Sequence, residues 1–177
     1  MGFDGVIVSL YLSKYLANHL HYSSVVYEPI ILISAIINII MIFLASFLTD
    51  YISPKKLYTS AALALLIVSY PSFMLMNAGN HTYLVLGIVL ISIIPSIITG
   101  LFMRVICDLF TTDVRFSGVA LGYNIAFAFV GGIAPLSIEI MIKDINVVAG
   151  PAIVSMTCAA LGLLAMYLIK TPQKIKV

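Results

Sequence analysis

Residues 113–135 read DVRFSGVALGYNIAFAFVGGIAP, and the reading of this stretch decides the fold. One basic residue, Arg115, opens an uncharged apolar run that continues through Ile138. Inside it stand Tyr123 and Asn124, then Gly131 and Gly132, then Pro135. A helix that has only to sit in lipid gains nothing from an amide, a double glycine and a proline, because each polarises or weakens it. The combination points to a membrane-spanning helix that lines something and bends.

The rest of the chain agrees with a bilayer setting. Of 177 residues, 62% are hydrophobic and 9% charged, where a soluble domain would carry about 25% charged residues. The net charge of +2 is too small and too scattered for a nucleic-acid partner, so what matters is where the nine Lys and Arg fall. Cys107 and Cys158 lie far apart in apolar surroundings without a CxxC spacing, and read as small hydrophobes rather than a disulfide or metal pair. No cleavable leader is expected from the opening MGFDGVIVSLYLSKYL, and Val6 stands where a myristoylation motif needs Ser or Thr.

Taken in order, the chain predicts five complete spans and part of a sixth. Residues 5–16 are apolar but cover only about 18 Å, short of the ~30 Å hydrocarbon core. A polar loop follows, in which His19 and His21 are two residues apart and do not share a helix face suited to a metal. The second span, 29–49, begins at Pro29, a residue suited to a first helical turn, and holds Asn38 near its middle. A mid-membrane amide needs an interhelical hydrogen bond or a cavity to face, and both readings stay open. The third span is 57–76. The fourth, 83–104, is interrupted by Pro95 beside Ser92, Ser96 and Thr99, either as a hinge or as a packing kink. The fifth covers 115–142 and the last 147–169, with Gly150-Pro151 at its entrance. Asn124 falls about 13 Å along the fifth helix from Arg115, near the midplane. Glu139 falls about 36 Å along it, at the far interface, with Lys143 one turn on as an ion-pair neighbour.

The pattern Arg115, Phe116, Ser117, Gly118, Leu121, Tyr123, Asn124, Gly131, Gly132, Pro135 closely resembles the eleventh transmembrane helix of metabolite:proton symporters of the major facilitator superfamily, notably the proline/betaine transporters. The loop Leu48-Thr49-Asp50 to Lys55-Lys56 resembles that superfamily's charged signature between paired helices. It departs from the signature at Ser46, Tyr51, Ser53 and Pro54, where the pattern has Gly, Arg, Gly and Arg. The resemblance implies that this loop, with Asp50, Lys55, Lys56 and Arg115, latches one conformation, and that the departures weaken the latch. It further implies an all-α integral membrane fold, the C-terminal six-helix half of a twelve-helix transporter with its first helix truncated.

The function expected is transmembrane transport, as a fragment of a proline/betaine-type proton symporter not competent alone. The alternatives are a structural or assembly half that pairs with a separate N-terminal half or with itself, and an inactive, decayed product. Asn38, Tyr123, Asn124 and Phe127 are the candidate cavity residues, because mid-membrane amides beside aromatics bind a carboxylate or a quaternary ammonium. Pro95, Gly131, Gly132 and Pro135 are the candidate hinges. No enzyme, metal or cofactor is expected, since no HExxH, GxSxG or phosphate-cradling loop occurs. Lys55, Lys56, Arg104, Arg115, Lys170, Lys174 and Lys176 fall on one side of alternating spans and Lys14 and Lys143 on the other. That asymmetry places the C-terminus and the 50–56 loop in the cytoplasm. The membrane expected is the inner (cell) membrane, which the chain crosses several times.

Overall fold

A computed structural model describes residues 11–110 and 113–168, with Met103, Asp108, Leu109 and Val130 described by backbone alone. The beginning of the first expected span, Thr111 and Thr112, and the basic tail with Lys170, Lys174 and Lys176 lie outside the described residues. Six helices follow one another: α1 (Leu12–Asn18), α2 (Ser24–Leu48), α3 (Pro54–Met76), α4 (His81–Leu109), α5 (Arg115–Asp144) and α6 (Ala149–Leu168). There is no strand among the described residues. The last five helices are each long and apolar enough to cross a membrane.

The helix ends follow from local chemistry. Pro54 takes the first position of α3, where its missing N–H is one that a helix start leaves unbonded anyway. Asn80 caps α4, its Oδ1 accepting from Thr82 N at 2.9 Å, and Gly79 just before it turns the chain at φ +71, a conformation open to glycine. Pro29 is not in a first turn: α2 starts at Ser24, so Pro29 lies inside the helix. The carbonyl it leaves without a partner is that of Val25, which sits in the exposed opening turn where the loss is small. At the other end of the bundle α4 runs past Arg104 to Leu109, because Val105-Ile106-Cys107-Asp108-Leu109 contains no breaker before Phe110 turns extended.

α3 packs along α4 and α6, α2 packs along α4, and α5 leans chiefly on α6, with slight contact to α4. The buried core includes Ala62, Leu65, Phe73 and Met76 from α3 and Leu84, Ile88, Ile91 and Leu101 from α4, with Tyr15 and Leu16 of α1 and Ala152 of α6. Tyr15 meets Phe73 edge-on at 5.6 Å and donates its hydroxyl to Val147 O at 3.1 Å. Two glycines set helix separations on α4. A Cβ at Gly100 would lie 2.6 Å from Ile42 O of α2, and one at Gly87 would lie 2.6 Å from Ser72 O of α3. Small residues at such crossings let transmembrane backbones approach closely.

The outer surface of the spanning helices is apolar too. Leu32, Ile33, Ile36, Ile39, Ile40 and Phe43 are all exposed along α2, an apolar face no water-soluble monomer leaves uncovered. Lipid covers such a face without cost. α5 is the least enclosed helix: 12% of its most apolar window is buried, against 50% for α4. Among its described side chains Ala134 and Ile138 are buried, and none from 115 to 133 is. Burial of the helix therefore begins only beyond Gly131-Gly132.

Candidate functional site

The cavity residues expected from the sequence separate into two places. On α2, Asn38 is half-buried, and its Oδ1 accepts from Ser96 Oγ of α4 at 2.5 Å. Ser96 Oγ is also 2.5 Å from Ser92 O, so one hydroxyl proton serves two acceptors. This bond ties α2 to α4 in the middle of both helices, the interhelical role open to a mid-membrane amide.

On α5, Tyr123, Asn124 and Phe127 stay together. Tyr123 stacks on Phe127, with ring centroids 5.8 Å apart and planes 17° apart. From α4, Phe102 comes to 6.1 Å from Tyr123. Phe102 carried no sequence signal of its own, since one more aromatic in an apolar helix looks like core. Ser96 and Phe102 are six residues apart on α4, about 9 Å along the axis and about 120° around it. Asn38 thus belongs to another face of α4 than the three-ring strip.

Asn124 is exposed, and its Nδ2 donates to Ala120 O one turn back at 2.8 Å. Its amide oxygen is an acceptor on the same stretch of α5 as the Tyr123 and Phe127 rings. A ring face attracts a quaternary ammonium electrostatically, and an amide oxygen accepts from a secondary ammonium. Gly132 sits in open space, with no atom within 4 Å of a Cβ placed there, so close packing does not account for it. In α4, the hydroxyls around Pro95 bond back along their own helix: Ser92 to Ile88 O, Ser96 to Ser92 O and Thr99 to Pro95 O.

The charged loop has a partner outside the four residues expected to form the latch. Arg104, near the end of α4, donates from one Nη to Asp50 Oδ1 at 2.9 Å and to Thr49 Oγ1 at 3.2 Å. It thereby supplies a guanidinium where the loop's own arginines are missing. Lys55 and Lys56 are exposed, and Arg115 is exposed with its Nε 3.3 Å from Phe110 O. At the opposite end, Glu139 pairs with Lys14 Nζ at 3.0 Å and His19 Nε2 at 3.2 Å, not with Lys143. The expected neighbour gives way because α1 folds back against this end of α5, bringing a primary amine and an imidazole closer than the helix's own next turn. Among the described residues no three His, Cys, Asp or Glu side chains converge on a possible metal site.

No family model matches the chain, and no solved structure matches it. It is similar to curated transporters. Identity is 25% over 166 residues with the ectoine/proline transporter of Corynebacterium glutamicum, covering 93% of this chain and 32% of that protein. It is 27% over 166 residues with the glycine betaine/proline/ectoine/pipecolic acid transporter of Dickeya dadantii, covering 93% and 33%. With the proline/betaine transporter of Escherichia coli it is 26% over 157 residues, covering 87% and 31%. The all-helical, multi-span architecture fits these relatives, and the chain, an integral membrane protein, is similar to proline/betaine-type transporters over about nine-tenths of its own length while spanning about a third of theirs.

Proposed function

We infer that the chain is one part of a proline/betaine-type proton symporter of the major facilitator superfamily, forming one wall of a solute route and requiring a complementary part to transport. The observation that carries this reading is the face of α5 bearing Tyr123, Asn124 and Phe127, joined by Phe102, on a helix that its own neighbours leave largely uncovered. A zwitterionic solute presents a quaternary or secondary ammonium to the rings and to the Asn124 oxygen. The described acidic residues stand in loops, near helix ends or, for Glu139, in an ion pair, so the proton-coupling carboxylate belongs to the complementary part. In this reading the 50–56 loop and the C-terminus face the cytoplasm, and the membrane is the inner one.

Proteoliposomes test the reading. The chain alone gives no accumulation of labelled proline or glycine betaine. The chain co-expressed with the portion of the Corynebacterium glutamicum transporter outside the aligned segment does, and Asn124→Ala removes it. Uptake by the chain alone that Asn124→Ala abolishes contradicts the need for a second part. The assembly reading is favoured by the same uncovered helix. It is separated by co-purification of the two parts with no uptake.

A further inference from the structure

Where the last turns of α4 meet the first turns of α5, Cys107, Arg115, Phe116, Val119 and Ala120 line an open groove of about 420 Å³. Among the described side chains its lining is apolar apart from Arg115, and none of them brings a carboxylate within ion-pair distance of that guanidinium. Arg115 opens a helix of 30 residues, about 45 Å long, which sets it at the membrane boundary. Val119 and Ala120 lie about 6 to 8 Å further in along the helix axis. The groove therefore runs from headgroup depth into the hydrocarbon, with the Arg115 charge at the headgroup end.

We propose that this groove is a binding site for an anionic phospholipid, with Arg115 on the phosphate and an acyl chain lying against Phe116, Val119 and Ala120. Arginine's planar fork matches two phosphate oxygens at once. A zwitterionic headgroup brings its own cation to the same place and gains less. A free phosphate ion meets the same arginine but gains nothing from the apolar wall, against which an acyl chain packs. The protein itself leaves room for the lipid: α4 and α5 touch only slightly, and no described side chain of α5 before Ala134 is buried. An acyl chain in the groove supplies packing that the two helices do not give each other. Phe116, Val119 and Ala120 lie on the side of α5 that carries Tyr123 and Phe127, one to two turns nearer the membrane boundary, so the inference concerns the chain alone, before a complementary part covers that face.

Native mass spectrometry of the delipidated chain tests it, with phosphatidylglycerol and phosphatidylcholine of identical acyl chains as probes. Phosphatidylglycerol is retained about fivefold more strongly, the effect of one interfacial cation on an anionic lipid. Arg115→Gln erases that preference, whereas Lys55→Gln with Lys56→Gln keeps it. Val119→Trp, which fills the groove, lowers retention of both lipids. Millimolar inorganic phosphate leaves phosphatidylglycerol in place. Equal retention of the two lipids by the unaltered chain overturns the proposal, as does a preference that survives Arg115→Gln or displacement by phosphate alone. Arg115 is exposed, so its substitution leaves the fold intact, and the two-lipid comparison on the unaltered chain needs no variant.

Discussion

Removing the Asn38–Ser96 bond loosens α2 from α4 by a small, bounded amount. Ser96 Oγ is 2.5 Å from both Asn38 Oδ1 and Ser92 O, so with Asn38→Ala the hydroxyl keeps an acceptor in its own helix. With Ser96→Ala the Asn38 carbonyl loses its donor and remains a half-buried polar group at mid-helix, a situation that costs about 1 to 3 kcal/mol where no replacement is found. Interhelical hydrogen bonds in membranes average about 0.6 kcal/mol and reach about 1.7. A double-mutant cycle on Asn38→Ala and Ser96→Ala, read by denaturant titration of helicity in mixed micelles, therefore gives a coupling between about 0.6 and 1.7 kcal/mol. Ser96→Ala alone costs more than Asn38→Ala alone. A coupling indistinguishable from zero, or Asn38→Ala as the costlier single change, refutes the assignment of this bond as the α2–α4 tie.

Glycines on α4 and α5 respond oppositely to the same change. Gly100→Ala puts a methyl 2.6 Å from the Ile42 backbone and costs about 1 to 3 kcal/mol, while Gly132→Ala, with empty space around it, is neutral or gains up to about 1 kcal/mol of helix propensity. Thermal melts of the two variants check this, and equal losses contradict it. Asp50→Asn breaks an ion pair whose two side chains are about half exposed, so it shifts stability by less than about 1 kcal/mol. Most of that shift vanishes in high salt. A larger, salt-independent loss in the same melts means the loop is held by more than Arg104.

Most of the architecture is written in hydropathy, because a lipid-length apolar run has few alternatives to a spanning helix. The loop signature at 48–56 and the polar stretch at 123–124 stood out because charge and amides are costly in lipid and so mark themselves. Partnerships were harder to read. By chain position Arg104 belongs with Asp108, Asp113 and Arg115, yet it reaches Asp50 on another connection because α4 continues a full turn past it. Glu139 was matched to Lys143 by helical spacing, and only tertiary folding brings Lys14 and His19 nearer. Phe102 was invisible for the opposite reason. An aromatic among aliphatics carries no local signature, and its meaning comes from the helix that packs beside it.

The account turns on what the uncovered face of α5 meets. Asn124→Cys, in a chain with Cys107 and Cys158 replaced by Ser, can be probed with a membrane-impermeant maleimide after co-expression with the remaining portion of the Corynebacterium glutamicum transporter. The account predicts that position 124 is labelled and that glycine betaine slows the labelling. A thiol that stays unlabelled in the assembled protein, while a lipid-soluble maleimide reaches it, places this face against acyl chains and contradicts the account.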